Sequence, residues 1–203
     1  MLTLYHAPKT RSARILWLLE EIGEPYAIEH VPIRRRDGTG GPGPDYLKIH
    51  PHGKVPAIAH DGQMVFESAA ICLYLTDAFP NAKLGPQVGD AKRGAYLTWL
   101  AYFQGVVELA VTARIMNWSR TPQGPRFIVF EEMEKVLAAA LDPGPYILGE
   151  NFSAADVLYG TVVRMLLGSK LAAPKPAYLD YVKRLDARPA FHRAQAKDQK
   201  AAA

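Results

Sequence analysis

In the stretch HPHGKVPAI, residues 50–58, a proline directly follows a valine at the point where a strand should begin. A cis proline persists in folded proteins mainly where a tight turn needs it. A cis Val55-Pro56 bond would leave the N–H and C=O of Val55 open at a sheet edge, where an extended peptide can add as a strand. The alternative is an ordinary trans proline at the first residue of a strand.

One hairpin downstream, FESAA at 66–70 places an acidic residue and a serine at the start of a helical pattern. Ser68 is a candidate N-cap, and the free N–H groups of a helix N-terminus can receive a carboxylate. Glu67 can receive an ammonium group, so the pair suits the head of an amino acid. The alternative is a plain helix cap beside an incidental acid. The coincidence with the Val-Pro turn favours the binding interpretation.

Upstream, APKTRSAR at 7–14 joins a strand to a helix and brings Thr10, Arg11 and Ser12 to the junction. Hydroxyl donors, a guanidinium and the positive end of a helix dipole all favour a thiolate over a thiol. A ligand thiol held here would therefore become a nucleophile. The alternative is a capped helix start with basic surface residues.

The first 79 residues predict the order β-α-β-loop-β-β-α. Apolar alternation and helical spacing define the strands and helices, Gly23 ends the first helix, and Asp61-Gly62 is a favoured hairpin turn. The predicted ranges are a strand at 2–6, a helix at 11–23, a weaker strand at 26–33, an exposed loop at 34–46, a hairpin at 56–66 and a helix at 68–79.

Helical patterns alone follow a linker predicted at 80–90, so we expect a domain at 1–79 and an all-helical domain at 91–203. Ser153 and Asp156 have a spacing close to that of a capping box. The final segment, 196–203, is small and polar and is expected to fray. The predicted helices cover 91–118, 125–142, 153–169 and 176–187.

The composition is that of an ordinary soluble globule, with 49% apolar and 22% charged residues in 203. One cysteine excludes a disulfide framework and fits a reducing, cytoplasmic compartment. We expect no signal peptide, no membrane span and no metal site, since the histidines at 50 and 52 lack a carboxylate partner at metal spacing. The net charge of +4 is scattered, which favours a small anionic ligand over nucleic acid.

The chain resembles the glutathione S-transferase family over nearly its whole length, and the loop before the Val-Pro turn is similar to a bacterial and fungal branch of it. The resemblance implies a thioredoxin-like N-terminal domain, with a mixed sheet and flanking helices, followed by a helical-bundle domain. The stretches that carry it are LYHAPKTRSARILWLLEEIGEPY at 4–26, IHPHGKVPAI at 49–58, FESAAICLYL at 66–75 and YILGENFSAADVLYG at 146–160.

The resemblance also implies how glutathione binds. Val55 would pair its backbone with the cysteinyl part beside a cis Pro56. The γ-glutamyl end would lie at Glu67 and Ser68. The remaining implied contacts are Lys54, at a glutathione carboxylate, and His52, a nearby loop histidine whose alternative is plain exposure to solvent.

The catalytic group is the least defined part of the resemblance. The usual serine position holds Ala7, and no cysteine stands near Thr10. The only cysteine, Cys72, lies in an apolar helix and is expected in the core, which argues against a protein–glutathione mixed disulfide. We therefore expect Ser12 or Thr10 to donate to the thiolate, with Arg11 adding positive field.

The expected function is a glutathione transferase of the detoxification type, in which glutathione thiolate attacks a small hydrophobic electrophile. Glutathione is then a co-substrate, no cofactor is tightly bound, and the family implies a homodimer. Two alternatives stay open. One is a glutathione-dependent peroxidase or disulfide reductase, and the other is a non-catalytic binding or interaction module on the same fold.

Overall fold

The computed structural model describes residues 1–34, 38–118 and 127–200. The chain folds into two compact units. Unit 1 is Met1–Leu84 together with the chain from Asp186 onward, and unit 2 is Gly85–Leu185. The domain limits expected from the sequence stay a prediction. The two units differ from them because the C-terminal segment packs with unit 1.

Unit 1 is built on the mixed four-stranded sheet that the resemblance implied. Strand β1 lies between β2, which is parallel to it, and β3, which is antiparallel, and β4 pairs antiparallel with β3 at the edge. Asp61 and Gly62 both have positive φ in the β3–β4 turn, as the predicted hairpin requires. The strands are β1 Leu2–His6, β2 Ala27–His30, β3 Ala57–His60 and β4 Gln63–Phe66.

In the first part of unit 1, helix α1 follows β1, α2 follows β2 and α3 follows β4. Helix α1 ends at Gly23, whose φ of 80° is left-handed and whose N–H donates to Leu19 O at 3.0 Å. The prediction of a loop through 34–46 was wrong at its end, because Pro44 occupies the first turn of a short helix. Arg35 and Arg36 of the predicted loop lie outside the described residues. The helices are α1 Ser12–Ile22, α2 Pro44–Leu47 and α3 Ser68–Ala78.

Unit 2 is built of helices, as predicted. The pattern at 91–118 forms two helices joined by a π-helical turn at Phe103–Val107. The helix predicted from 125 begins only at Phe130, and 127–129 are not helical. No helix over the described ranges is long and apolar enough to cross a bilayer. The helices are α4 Arg93–Tyr102, α5 Glu108–Ile115, α6 Phe130–Leu141, α7 Ala154–Gly168 and α8 Pro176–Asp186.

The predicted cap of α7 is confirmed as a structural device. The Asp156 carboxylate accepts the N–H of Ser153 at 2.8 Å, the N–H of Ile147 at 2.8 Å and the hydroxyl of Tyr181 at 2.8 Å. All four residues are buried within unit 2. These bonds satisfy a buried carboxylate and tie α8 and a loop to the start of α7.

The expectation that the chain end frays was wrong over the described residues. Helix α9, Pro189–Lys200, packs against α1 within unit 1. Arg188, just before it, donates to both carboxylate oxygens of Glu21 at 2.6 and 2.8 Å. Phe191 packs edge-on against Trp17 with ring centroids 5.0 Å apart. Polar sequence was mistaken for disorder because these partners lie far away in the chain.

Candidate functional site

A cleft of about 450 Å³ opens in unit 1, and it brings five of the nine predicted site residues together. It lies where the β1–α1 turn, the loop after β2 and the segment before β3 meet. The predicted residues among its lining are Thr10, Arg11, His52, Lys54 and Val55. Ser12, Pro56, Glu67 and Ser68 lie in described parts of the chain but outside this lining.

The segment that carries Lys54 and Val55, which forms one wall of the cleft, is held by hydrogen bonds between its main chain and two side chains. The Tyr46 hydroxyl donates to Lys54 O at 2.6 Å, and the N–H of His52 lies 3.2 Å from His50 Nδ1. Gly53 has φ of +58°, and a Cβ added there would meet Pro42 Cγ at 2.5 Å. The wall therefore needs glycine both for backbone conformation and for space.

The Val55-Pro56 bond is cis, as the resemblance implied. Val55 is half-buried and Pro56 is buried just before β3. Over the described residues, no main-chain partner of Val55 is found within the protein. The edge thus offers one donor and one acceptor to an extended ligand.

The start of α3 lies at the same end of the hairpin as Pro56, because β3 and β4 pair Ala57 with Phe66. The predicted N-cap was wrong by one residue. Glu67, with φ of 70°, is the N-cap, since its carbonyl accepts the first helical bond from Ile71 N–H at 2.9 Å. Ser68 is the first helical residue and is buried. The N–H groups at 68–70 precede that first bond, as in any helix, and suit an anion.

The two hydroxyls expected to activate a thiol occupy different surroundings. Thr10 is half-buried in the cleft, and its Oγ1 donates to Ala7 O at 2.6 Å. Ser12 is fully buried, and its Oγ lies 2.7 Å from His6 Nδ1, 2.8 Å from Thr10 Oγ1 and 3.1 Å from Ala7 N. Ser12 therefore supports the turn from inside, and Thr10 is the hydroxyl that a ligand can meet.

The charged side chains of the cleft are basic. Arg11, Arg34 and Lys54 all line it, and no carboxylate of the described residues does. Burial lowers the pKa of His50 behind the wall, an effect that Glu67 opposes. His50 is therefore a neutral supporting residue, while the cleft itself attracts anions.

Several residues of this site were not predicted individually. Arg34 belongs to the segment predicted as an exposed loop, and the contacts of Tyr46 and His6 were not predicted. Alternation marked His6 only as the end of a strand. No group of three or more potential metal ligands occurs in the part of the chain that the structure describes. Cys72 is buried, as predicted, and burial raises its pKa to about 12.

Comparison with known proteins agrees with this geometry. The family model described as "Glutathione S-transferase, N-terminal domain" matches residues 1–77, which include all nine predicted site residues. The chain is 28% identical to glutathione S-transferase GstA of Escherichia coli O157:H7, over 83% of this chain and 84% of that one.

Two further relatives match almost end to end. The disulfide-bond oxidoreductase YfcG of Escherichia coli K12 is 29% identical over 98% of this chain and 96% of its own. A Sulfitobacter glutathione transferase homologue, solved with bound glutathione, is 27% identical with a TM-score of 0.75, covering 97% and 98% of the two chains. The similarity thus extends through both units.

Proposed function

We propose that this chain, whose residues 1–77 match the glutathione S-transferase N-terminal domain model, is a member of that family, and that the cleft of unit 1 binds glutathione and converts its thiol into a nucleophilic thiolate. The observation that carries this proposal is the convergence of Thr10, Arg11 and the open main chain of Val55 on one basic cleft. The thiolate would then attack a small hydrophobic electrophile, which is the glutathione transferase reaction.

Glutathione would bind by its main chain and by its charged ends. Its cysteinyl N–H and C=O would pair with Val55 as an added strand. The γ-glutamyl carboxylate would take the N–H groups at the start of α3 and the Ser68 hydroxyl, while the γ-glutamyl ammonium would take Glu67. Lys54 would receive the glycyl carboxylate, with His52 at the rim.

Activation of the thiol would fall to Thr10 and Arg11. A hydroxyl that donates to sulfur, a nearby guanidinium and the start of α1 each stabilise the thiolate more than the thiol. Thr10 would turn its proton from Ala7 O toward the ligand sulfur, because a hydroxyl rotates about its C–O bond. Ser12, the other predicted donor, would act by supporting Thr10.

Calorimetry and steady-state kinetics together test this proposal. Titration with millimolar glutathione is expected to release heat, and the protein is expected to conjugate glutathione to an aryl halide. Absence of binding heat would contradict the glutathione site. Light scattering on the purified protein tests the homodimer that the family implies.

A second candidate function is a glutathione-dependent disulfide reductase or peroxidase. It is favoured by the 29% identity to a disulfide-bond oxidoreductase over nearly both chains. The same thiolate would attack a disulfide or hydroperoxide instead of carbon. Faster turnover of these substrates than of aryl halides would favour it. Retention on immobilised glutathione without turnover of any of them would favour a non-catalytic binding module.

A further inference from the structure

The last turn of α9 contacts the turn that carries Thr10. The N–H of Lys9 lies 3.2 Å from Asp198 Oδ1 and 3.3 Å from Oδ2. Lys9 has φ of +58°, a left-handed conformation that is uncommon for a lysine. The Asp198 carboxylate therefore holds the residue that directly precedes Thr10.

Asp198 makes a second contact beneath the same turn. Its Oδ1 lies 3.2 Å from Nε2 of His6, which is fully buried at the end of β1. The other ring nitrogen of His6 lies 2.7 Å from Ser12 Oγ, which in turn lies 2.8 Å from Thr10 Oγ1. A chain of polar contacts thus runs from α9 through the protein interior to the hydroxyl in the cleft.

The Asp198 carboxylate also influences which atoms along these contacts carry the protons. Asp198 Oδ1 lies at ion-pair distance from Nε2 without an aligned hydrogen bond between them. Its negative charge favours the tautomer with the proton on Nε2, in which Nδ1 can accept the Ser12 hydroxyl proton. Ser12 then faces Thr10 as an acceptor. Thr10 is then the donor of this pair, and its one proton can go to Ala7 O, to Ser12 or to a ligand in the cleft.

Helix α9 is held in place independently of Asp198. Lys197, which directly precedes Asp198 in the helix, forms an ion pair with Glu20 and a hydrogen bond to Tyr26 at 3.0 Å. Arg193 donates to Glu20 Oε2 at 2.9 Å. Burial alone would raise the pKa of Glu20, but the hydrogen bonds from Lys197, Tyr26 and Arg193 lower it, so Glu20 stays charged. Removing Asp198 should leave the helix docked.

We propose that Asp198 is a positioning residue for thiol activation, acting on Thr10 through Lys9 on one side and through His6 and Ser12 on the other. This inference rests on the proposed function. The inference gives helix α9 a role in the reaction although Asp198 is not among the residues that line the cleft. Because Asp198 does not line the cleft, its effect should appear in the state of the bound thiol and not only in glutathione affinity.

The test compares Asp198→Ala, Asp198→Asn and Lys197→Met in the full chain. The control, Lys197→Met, removes an α9 contact to Glu20 and Tyr26 but none to the turn. Ultraviolet absorbance of thiolate on bound glutathione is followed against pH. The half-titration pH is expected to rise by about one unit in Asp198→Ala, a tenfold loss of thiolate. The rise should be smaller in Asp198→Asn, which keeps an acceptor for Lys9, and nil in Lys197→Met.

The outcomes separate the two proposals. Equal shifts in Asp198→Ala and Lys197→Met, or no shift in either, would overturn the role of Asp198 alone. No thiolate band in the unaltered protein would overturn the proposed function and this inference with it. If Asp198→Ala fails to fold, Asp198→Asn decides. A rise in the half-titration pH of bound glutathione in Asp198→Asn but not in Lys197→Met supports the inference, and equal values in the two variants overturn it.

Discussion

Ser12 Oγ lies 2.7 Å from Nδ1 of His6, and neither side chain has exposed surface. The serine that the sequence marked as a thiol activator is therefore an internal support of the turn, while its neighbour Thr10 faces the cleft. We therefore expect two hydroxyls two residues apart to have separable roles, Ser12 in stability and Thr10 in the proposed chemistry.

Thr10→Val should raise the half-titration pH of bound glutathione by about one to two units, because a hydrogen bond to a charged group is worth about 1.5–3 kcal/mol. Thr10→Ser keeps the hydroxyl and serves as the matched control, with a shift close to zero. Ultraviolet titration of the complexes gives both values. Equal shifts in the two variants would remove Thr10 as the donor.

Ser12→Ala should act mainly on stability. The substitution leaves buried partners at Ala7 N and His6 Nδ1 without a bond, at a cost of about 1–3 kcal/mol in the free energy of unfolding. Urea denaturation measures this loss. The accompanying shift in thiolate titration should be smaller than for Thr10→Val. A larger shift with unchanged stability would show that Ser12 itself meets the thiol.

Glu67→Gln should raise the KM for glutathione about tenfold, because loss of a charge contact to an ammonium costs about 1.4 kcal/mol. The turnover number should change little, since the contact forms equally in the ground and transition states. Glu24→Gln, at another exposed acid of unit 1, is the control. Initial-rate kinetics in which both variants keep the original KM would remove Glu67 from the glutathione site.

Gly53→Ala should weaken glutathione binding, because the added Cβ would meet Pro42 Cγ at 2.5 Å and displace the wall that carries Lys54 and Val55. Gly23→Ala isolates the backbone cost, since Gly23 has φ of +80° but no atom within 4 Å of an added Cβ. Each should lose about 1–2 kcal/mol of stability from the left-handed conformation. Calorimetry should show weaker binding only for Gly53→Ala, and equal affinity would contradict the fixed wall.

Stability should rise with pH between about pH 5 and pH 7. Burial lowers the pKa of His6, opposed by Asp198, and burial also lowers the pKa of His50. The unfolded state then binds more protons than the folded state as the pH falls below about 6.5, so acid destabilises the protein. Urea denaturation at several pH values measures the slope. His50→Asn should flatten it, and a slope unchanged by that substitution would contradict the assignment for His50.

The sequence predicted the sheet well because its signals are local. Alternation marks β1, Asp61-Gly62 marks the hairpin, and Gly23 ends α1, all within a few residues. These signals sufficed to place a helix start at 67–68, whereas the cis proline at position 56 came from the family resemblance, because the motif alone also fits a trans proline.

The remainder depends on contacts between distant segments. Helix α9 is polar, and its docking relies on Arg188 and Lys197 meeting Glu21 and Glu20 more than 160 positions away. No local sequence pattern predicts such distant partners. The burial of Ser12 likewise depends on its contact with His6 at the end of β1. The spacing of residues in the sequence could therefore not distinguish Ser12 from Thr10.

A crystal structure of the protein with glutathione at neutral pH tests the central claim most directly. The cysteinyl main chain should pair with Val55, and the sulfur should lie about 3.2 Å from Thr10 Oγ1, as expected for a hydrogen bond to sulfur. The γ-glutamyl end should meet Ser68. A tripeptide bound elsewhere, or a sulfur out of reach of Thr10 with Val55 covered by the protein, would contradict the account.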